Sequence, residues 1–178
     1  VIINDRQISR DAVIKLIDDG RKNIALMTTE NYFNVSMERA EGYNEALRQK
    51  GIQQNENLRL TVSYDAIEEI IIEDFFKREK IDAVLCVNEI FAVVAMGIAQ
   101  KLGFKIPENI AFIGFTDGIL SKYSNPSLTT IAQHGERMGE IAARMLIEKV
   151  ETEYQEDEEI KYRTEIIEAT IIERESTR

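Results

Sequence analysis

The sequence is poor in the residues that build cross-linked or metal-bound structure. It holds one cysteine, Cys86, and one histidine, His134. A single cysteine excludes an internal disulfide, and the two together supply too few soft ligands for a zinc site. Positive charge is also short. Lys and Arg number 22 against 32 Asp and Glu, a formal net charge of −10. Phosphate backbones are gripped by basic surfaces, so these residues are poorly suited to touch nucleic acid directly. No apolar run approaches the roughly 20 residues of a membrane-spanning helix. Neither G-x-G-x-x-G nor G-x-x-x-x-G-K-[ST] occurs, which argues against a nucleotide-phosphate cradle, and there is no G-x-S-x-G elbow.

What is present is ordinary for a soluble globular chain: 178 residues, 44% apolar and 30% charged. That length fits one domain or two small lobes. The chain opens on Val1-Ile2-Ile3, a strand-like run without an initiating Met. We therefore expect a fragment of a longer protein, for which a missing signal peptide is uninformative.

Apolar periodicity predicts alternating elements. A helix over Ser9–Asp19 is expected to stop at Gly20, a strand over Asn23–Thr28 follows, and a helix over Ser36–Lys50 is expected to stop at Gly51. Leu58–Ser63 reads as a strand. Asp65 and Glu68 read as a capping box for a helix reaching Lys80, with Ile67, Ile70, Ile71, Phe75 and Phe76 inward. Ala83–Val87 is the next strand. Asn88 can cap a helix that carries Phe91, Val94, Ala95 and Ile98 and stops at Gly103. Ile110–Phe115 is a strand. Thr116–Gly135 reads as a long loop with about one helical turn. A helix around Met138–Leu146, an acidic linker over Glu151–Glu159 and a strand over Glu165–Glu173 complete the chain. Strand starts roughly 25–35 residues apart imply βαβ units, hence an α/β fold: a three-layer α/β/α, Rossmann-like parallel sheet.

Ligands of open parallel sheets bind beyond the carboxyl ends of the strands. That rule selects Arg39, Asn88, Glu89, Thr116 and Asp117, which are rich in directional donors and acceptors and suit a polyhydroxylated molecule. Asn88 equally fits a simple helix cap, and Arg39 a solvated surface charge. His134 reads as a loop or helix-start residue, and Cys86 as a small buried hydrophobe.

Five segments resemble the lactose-repressor/galactose-repressor family of transcription regulators. They are Gly20-Arg21-Lys22-Asn23-Ile24-Ala25-Leu26; Arg39 to Gly42-Tyr43; Asn88-Glu89 with Ala92; Ile106-Pro107 through Gly114-Phe115-Thr116-Asp117; and Pro126-Ser127-Leu128-Thr129-Thr130-Ile131-Ala132-Gln133, with Met138-Gly139 following. The resemblance implies a periplasmic-binding-protein-like type I lobe. It also implies a cytoplasmic homodimer that senses a small-molecule effector of the carbohydrate class, without catalysis, cofactor or metal. DNA would be contacted only through a helix-turn-helix outside this chain. Residues 1–133 would form the C-terminal lobe, its first few residues crossing over from an N-terminal lobe. Residues 134–152 would be a helix of that other lobe, and 153–178 an acidic linker and returning strand. Carried over by position, the effector-binding residues are Arg39, Asn88, Glu89, Thr116, Asp117 and Gln133. Thr116 stands where the family usually has an aspartate, which leaves the effector's identity open. A periplasmic sugar-binding protein of the same fold is the rival reading, and a small α/β enzyme a more distant one. The helix near 134–150 is apolar on more than one side, so we expect it to expose surface that seeks a partner.

Overall fold

The computed structural model describes residues 1–30, 33–151 and 162–178. Six helices and eight strands alternate along the described chain. These are β1 (Ile2–Ile3), α1 (Asp5–Asp18), β2 (Ile24–Thr28), α2 (Asn34–Gln49), β3 (Arg59–Thr61), α3 (Glu69–Arg78), β4 (Ala83–Cys86), α4 (Glu89–Lys101), β5 (Ala111–Phe115), α5 (Ile119–Tyr123), β6 (Thr129–Ala132), α6 (Gly135–Glu151), β7 (Ile166–Ile167) and β8 (Thr170–Ile172). The main sheet has the order β3-β2-β4-β5-β6-β8. All its neighbours run parallel except β8, which lies antiparallel to β6.

Every residue of β2, β4, β5 and β6 is buried. Continuous burial of this kind is what a parallel sheet covered on both faces demands, and β2, β4 and β5 meet it with almost wholly apolar runs. The chain steps from β2 outward to β3, then crosses back to β4 and continues to β5. Right-handed crossovers therefore place α2 on one face and α3 and α4 on the other. Contacts agree, since α1 packs on α2 and α3 on α4. The glycines predicted to end helices, Gly20, Gly51 and Gly103, all take left-handed backbone (φ +94°, +67° and +89°).

Several expectations are corrected. The stretch read as a loop from Thr116 to Gly135 contains β6, whose Thr129 and Thr130 are fully buried. The Asp65 capping box does not start α3; the helix begins at Glu69, with Glu68 in extended backbone before it. Its inward residues are Ile72, Phe75 and Phe76, while Ile70 and Ile71 face solvent. The single strand predicted over Glu165–Glu173 is two strands in two sheets. The predicted acidic linker, apart from Glu151, lies outside the described residues.

At one corner the chain is laced together. β1 pairs in parallel with β7 through Ile2–Ile166 and Ile3–Ile167. Asn4 Oδ1 accepts from the Ala169 amide at 2.9 Å, and the His134 ring bonds the Thr170 hydroxyl at 3.0 Å. From His134 the chain enters α6, none of whose residues is buried. Leu146, Ile147 and Val150 are exposed, while Met138 and Ile141 rest against the core.

Candidate functional site

The sheet's order reverses between β2 and β4, and a cleft opens there beyond the carboxyl ends of the strands. Its volume is about 580 Å³. Four of the residues selected from sequence line it: Arg39, Asn88, Thr116 and Gln133. Phe33, Ser36, Tyr64 and Val87 line it as well.

Arg39 comes from the second turn of α2 and is 6% exposed, so it is not a solvated surface charge. Its Nε donates to Asp5 at 2.7 Å and one Nη to the Val87 carbonyl at 2.6 Å. The guanidinium lies 3.7 Å from the Phe115 ring centroid, a cation–π contact. These bonds take two of the five N–H groups a guanidinium carries. Burial pulls Arg39 below its ordinary value, with Asp5 opposing the shift. Burial likewise raises Asp5, against the pull of Arg39. Desolvation and pairing thus pull in opposite directions on both partners, as expected of a buried ion pair.

Asn88 is 9% exposed and does cap α4. Its Oδ1 accepts from the Phe91 amide at 2.8 Å. That bond settles which edge of the amide faces which way. Flipping it would set two donors against each other. The Nδ2 group is buried and has no hydrogen-bond partner among the described residues. A buried amide donor without a partner costs about 1–3 kcal/mol and calls for an explanation.

Thr116 has φ +79°. Left-handed backbone is uncommon for any non-glycine residue and is strained for a β-branched one. Its amide donates to the Ile131 carbonyl at 3.0 Å, and Gln133 Nε2 donates to its hydroxyl at 3.3 Å. The strain therefore sits where two strand ends meet the cleft.

Glu89 and Asp117 are held elsewhere. The Glu89 carboxylate accepts from the Ser121 amide at 2.8 Å and from the Ser121 hydroxyl. It lies so close to Gly118 that a Cβ there would fall 2.3 Å from Oε2. Asp117 accepts from Arg174 at 2.5 Å and from Thr130 at 3.1 Å. Burial pushes its carboxyl up, but the Arg174 and Thr130 hydrogen bonds and the Arg174 and Lys122 charges bring it net below its ordinary value. Asp117 borders a second groove, of about 870 Å³, which runs under α6 and is also lined by Thr116, Gln133 and His134.

The strand-end rule places Tyr64 at this edge but not among the polar candidates, and it does not reach Phe33. Tyr64 stacks at a tilt on Phe91, with centroids 5.5 Å apart, and Phe33 meets Tyr64 edge-on at 6.2 Å. Both are about half exposed. An aromatic just past a strand end was the available signal. Cys86 lies inside β4, fully buried, and burial pushes its thiol well above the usual range. Among the described residues no group of His, Cys, Asp and Glu could hold a metal ion. Nor is any described helix long and apolar enough to cross a membrane.

A doubly wound lobe with a polar, aromatic-walled cleft at its switch point is an architecture suited to holding a small ligand. Residues 13–177 match the family model described as a periplasmic binding protein-like domain. The chain belongs to that family, and its relatives are helix-turn-helix regulators of the LacI type. One is the transcriptional repressor PurR of Vibrio atlanticus (strain LGP32). It is 29% identical over 174 residues, which span 97% of this chain and 52% of that protein. Among solved structures, a LacI-family sugar-binding transcriptional regulator from Escherichia coli, complexed with phosphate, superimposes with a TM-score of 0.81. The identity is 27%, covering 98% of this chain and 61% of the other. The CelR–cellobiose complex has a TM-score of 0.87 at 24% identity, covering 98% and 53%, and speaks to the fold alone. The chain spans about half the length of the curated relatives it matches.

Proposed function

We propose that this chain is most of the effector-sensing region of a LacI-type transcription regulator, and that its effector is a sugar or sugar derivative. The observation that carries the reading is the buried Asn88 Nδ2, a donor without a partner, in a cleft at the switch point of the sheet. A ligand acceptor there would satisfy it. The remaining N–H groups of Arg39 and the hydroxyls and amides of Ser36, Thr116 and Gln133 offer further directional bonds. Tyr64 and Phe33 offer aromatic faces for a ring. CelR, which shares the fold, is solved as a cellobiose complex.

The mechanism is a shift of populations. Residues 1–133 and the returning strands form one lobe, and α6 belongs to a second lobe that the corner of crossing segments connects to the first. The absence of any buried residue in α6 supports this division. An effector that spans both lobes favours one closure angle, and only by binding the two states unequally. A cytoplasmic homodimer would pass that angle to DNA-binding heads carried elsewhere in the longer chain. None of this requires catalysis. The test is a thermal-shift and calorimetric screen of the full-length regulator against monosaccharides, disaccharides and nucleobases. A saccharide that stabilises it and changes operator retention in a gel-shift assay is the expected result. A nucleobase alone doing so would overturn the sugar assignment.

A further inference from the structure

The cleft is unusual in what it does not offer. No carboxylate is among the described residues that line it, and its one formal charge is Arg39. Glu89 and Asp117, next in sequence to Asn88 and Thr116, are tied to Ser121 and to Arg174. Asp5 takes one edge of the Arg39 guanidinium from outside the cleft lining, leaving its other N–H groups for a ligand. α2, 16 residues long, begins at this cleft with Asn34, Val35 and Ser36 along the wall. Among the described residues no side chain caps it, and its first turn holds no acidic residue. The first amides of a helix lack intrahelical partners and carry the positive end of its dipole. By contrast, α4 on the other side of the cleft is capped by Asn88 and begins with Glu89.

The second observation is independent of the helix. Asn88 Nδ2 is buried to about nine-tenths and unpartnered, with its rotamer locked by the Phe91 bond. Arg39 lies one turn along α2 from Ser36 and bonds the carbonyl of Val87, the residue next to Asn88. Three kinds of donor thus border one space: helix amides, a guanidinium and an orphaned amide. Ser36, Tyr64, Thr116 and Gln133 elsewhere on the wall both give and accept hydrogen bonds, as a hydroxylated ring requires. The corner shared by the start of α2, Arg39 and Asn88 Nδ2 only gives.

We propose that the effector is acidic, a sugar carrying a phosphate or carboxylate group, and that the acid group seats between the start of α2, Arg39 and the Asn88 amide. This rests on the reading of the cleft as an effector site and narrows its ligand class. Anions at helix N-termini beside a guanidinium are held by charge-assisted bonds, which are shorter and stronger than neutral ones. The neutral hydroxyl of Thr116 fits the same economy, because it sets no negative charge against the ligand.

The experiment is calorimetry on the full-length regulator with matched ligands: glucose, cellobiose, glucose 6-phosphate, cellobiose 6-phosphate, glucuronic acid and inorganic phosphate, with adenine and hypoxanthine alongside. An acidic sugar binding at least about tenfold more tightly than its neutral parent is the expected result. Its affinity should fall with added salt, while any neutral binder should be indifferent. Asn88→Asp keeps the helix cap, because Asp serves as well as Asn there, but replaces the free donor with a negative oxygen. It should weaken the acidic ligand about a hundredfold, well beyond any loss it causes for a neutral binder. Binding of neutral sugars alone would overturn the acidic seat and leave the sugar-effector reading standing. Binding of a nucleobase alone, or of nothing in the panel, would overturn both. Should Asn88→Asp fail to fold, the salt dependence of the unaltered protein decides the matter.

Discussion

Gly42 sits in the middle of α2, where a helix ordinarily prefers alanine by about 1 kcal/mol. A Cβ built there would lie 2.2 Å from the Arg6 carbonyl oxygen, 2.7 Å from Ser9 Cβ and 2.9 Å from the Arg10 amide nitrogen. Two of these are backbone atoms of α1 and cannot swing aside. Carbon contacts settle near 3.5 Å, so α1 and α2 would have to part by about 1 Å. Their seam holds the Ser9 hydroxyl bond to the Arg39 carbonyl, 2.6 Å, and the Arg39–Asp5 pair. Overpacking of this sort costs about 1–3 kcal/mol, and the backbone contacts place Gly42→Ala at the upper end. Subtracting the propensity gain leaves a net loss of about 2 kcal/mol, or roughly 4–8 °C for a domain of this size. Gly97 in α4 and Gly139 in α6 are the controls, because a Cβ at either meets nothing within 4 Å. Gly97→Ala and Gly139→Ala should each gain about 0.5–1 kcal/mol. Urea titrations followed by circular dichroism on the three variants give the comparison. Equal signs for all three substitutions, or a Gly42→Ala protein as stable as its parent, would refute the claim that close approach of the two helices selects this glycine.

Arg39→Ala strands Asp5 in a buried setting and should cost about 3–5 kcal/mol of stability by denaturant titration, with Asp5→Asn in the same background restoring part of it. Thr116→Asn keeps a polar side chain and tolerates left-handed backbone, so it should raise the melting temperature, by about 1 kcal/mol in free energy. Asp117 is held net below its ordinary value of 3.8. The stability it confers is therefore present above that value and lost as pH falls through its lower folded-state value. Asp117→Asn should flatten the acid limb of a stability–pH curve below about pH 4 and leave the remainder of its shape unchanged.

The doubly wound core was legible because β2, β4 and β5 are apolar runs separated by helical stretches with glycine stops. β6 was hidden by its own chemistry. Thr129 and Thr130 look like loop residues until Ser176, Arg174 and Thr177 bond Thr129 from the far end of the chain. The start of α3 was misplaced because Asp65 and Glu68 satisfy a local capping pattern, whereas packing selects Ile72, Phe75 and Phe76 and leaves Ile70 and Ile71 outside. Arg39, Asn88 and Thr116 could be found because topology alone brings them to one edge, whereas Gln133 came from the family resemblance. The placement of Glu89 and Asp117 could not. Their partners Ser121 and Arg174 lie 32 and 57 residues away, and no spacing rule connects them.

The laced corner bears on how freely a second lobe could turn. Three segments pass it side by side: β1, the turn at His134 and the stretch from β7 to β8. Each is tied to another by the β1–β7 ladder, the Asn4–Ala169 bond or the His134–Thr170 bond. A single thread would act as a swivel, free to twist and to bend in any direction. Three threads bound into a strip resist torsion and yield mainly about one line, as a door hung on several pins does. In the two-lobed reading, effector binding would then feed one mechanical coordinate instead of being scattered over many. Cutting a lace, by His134→Ala or Asn4→Ala, would blunt the switch without touching the ligand.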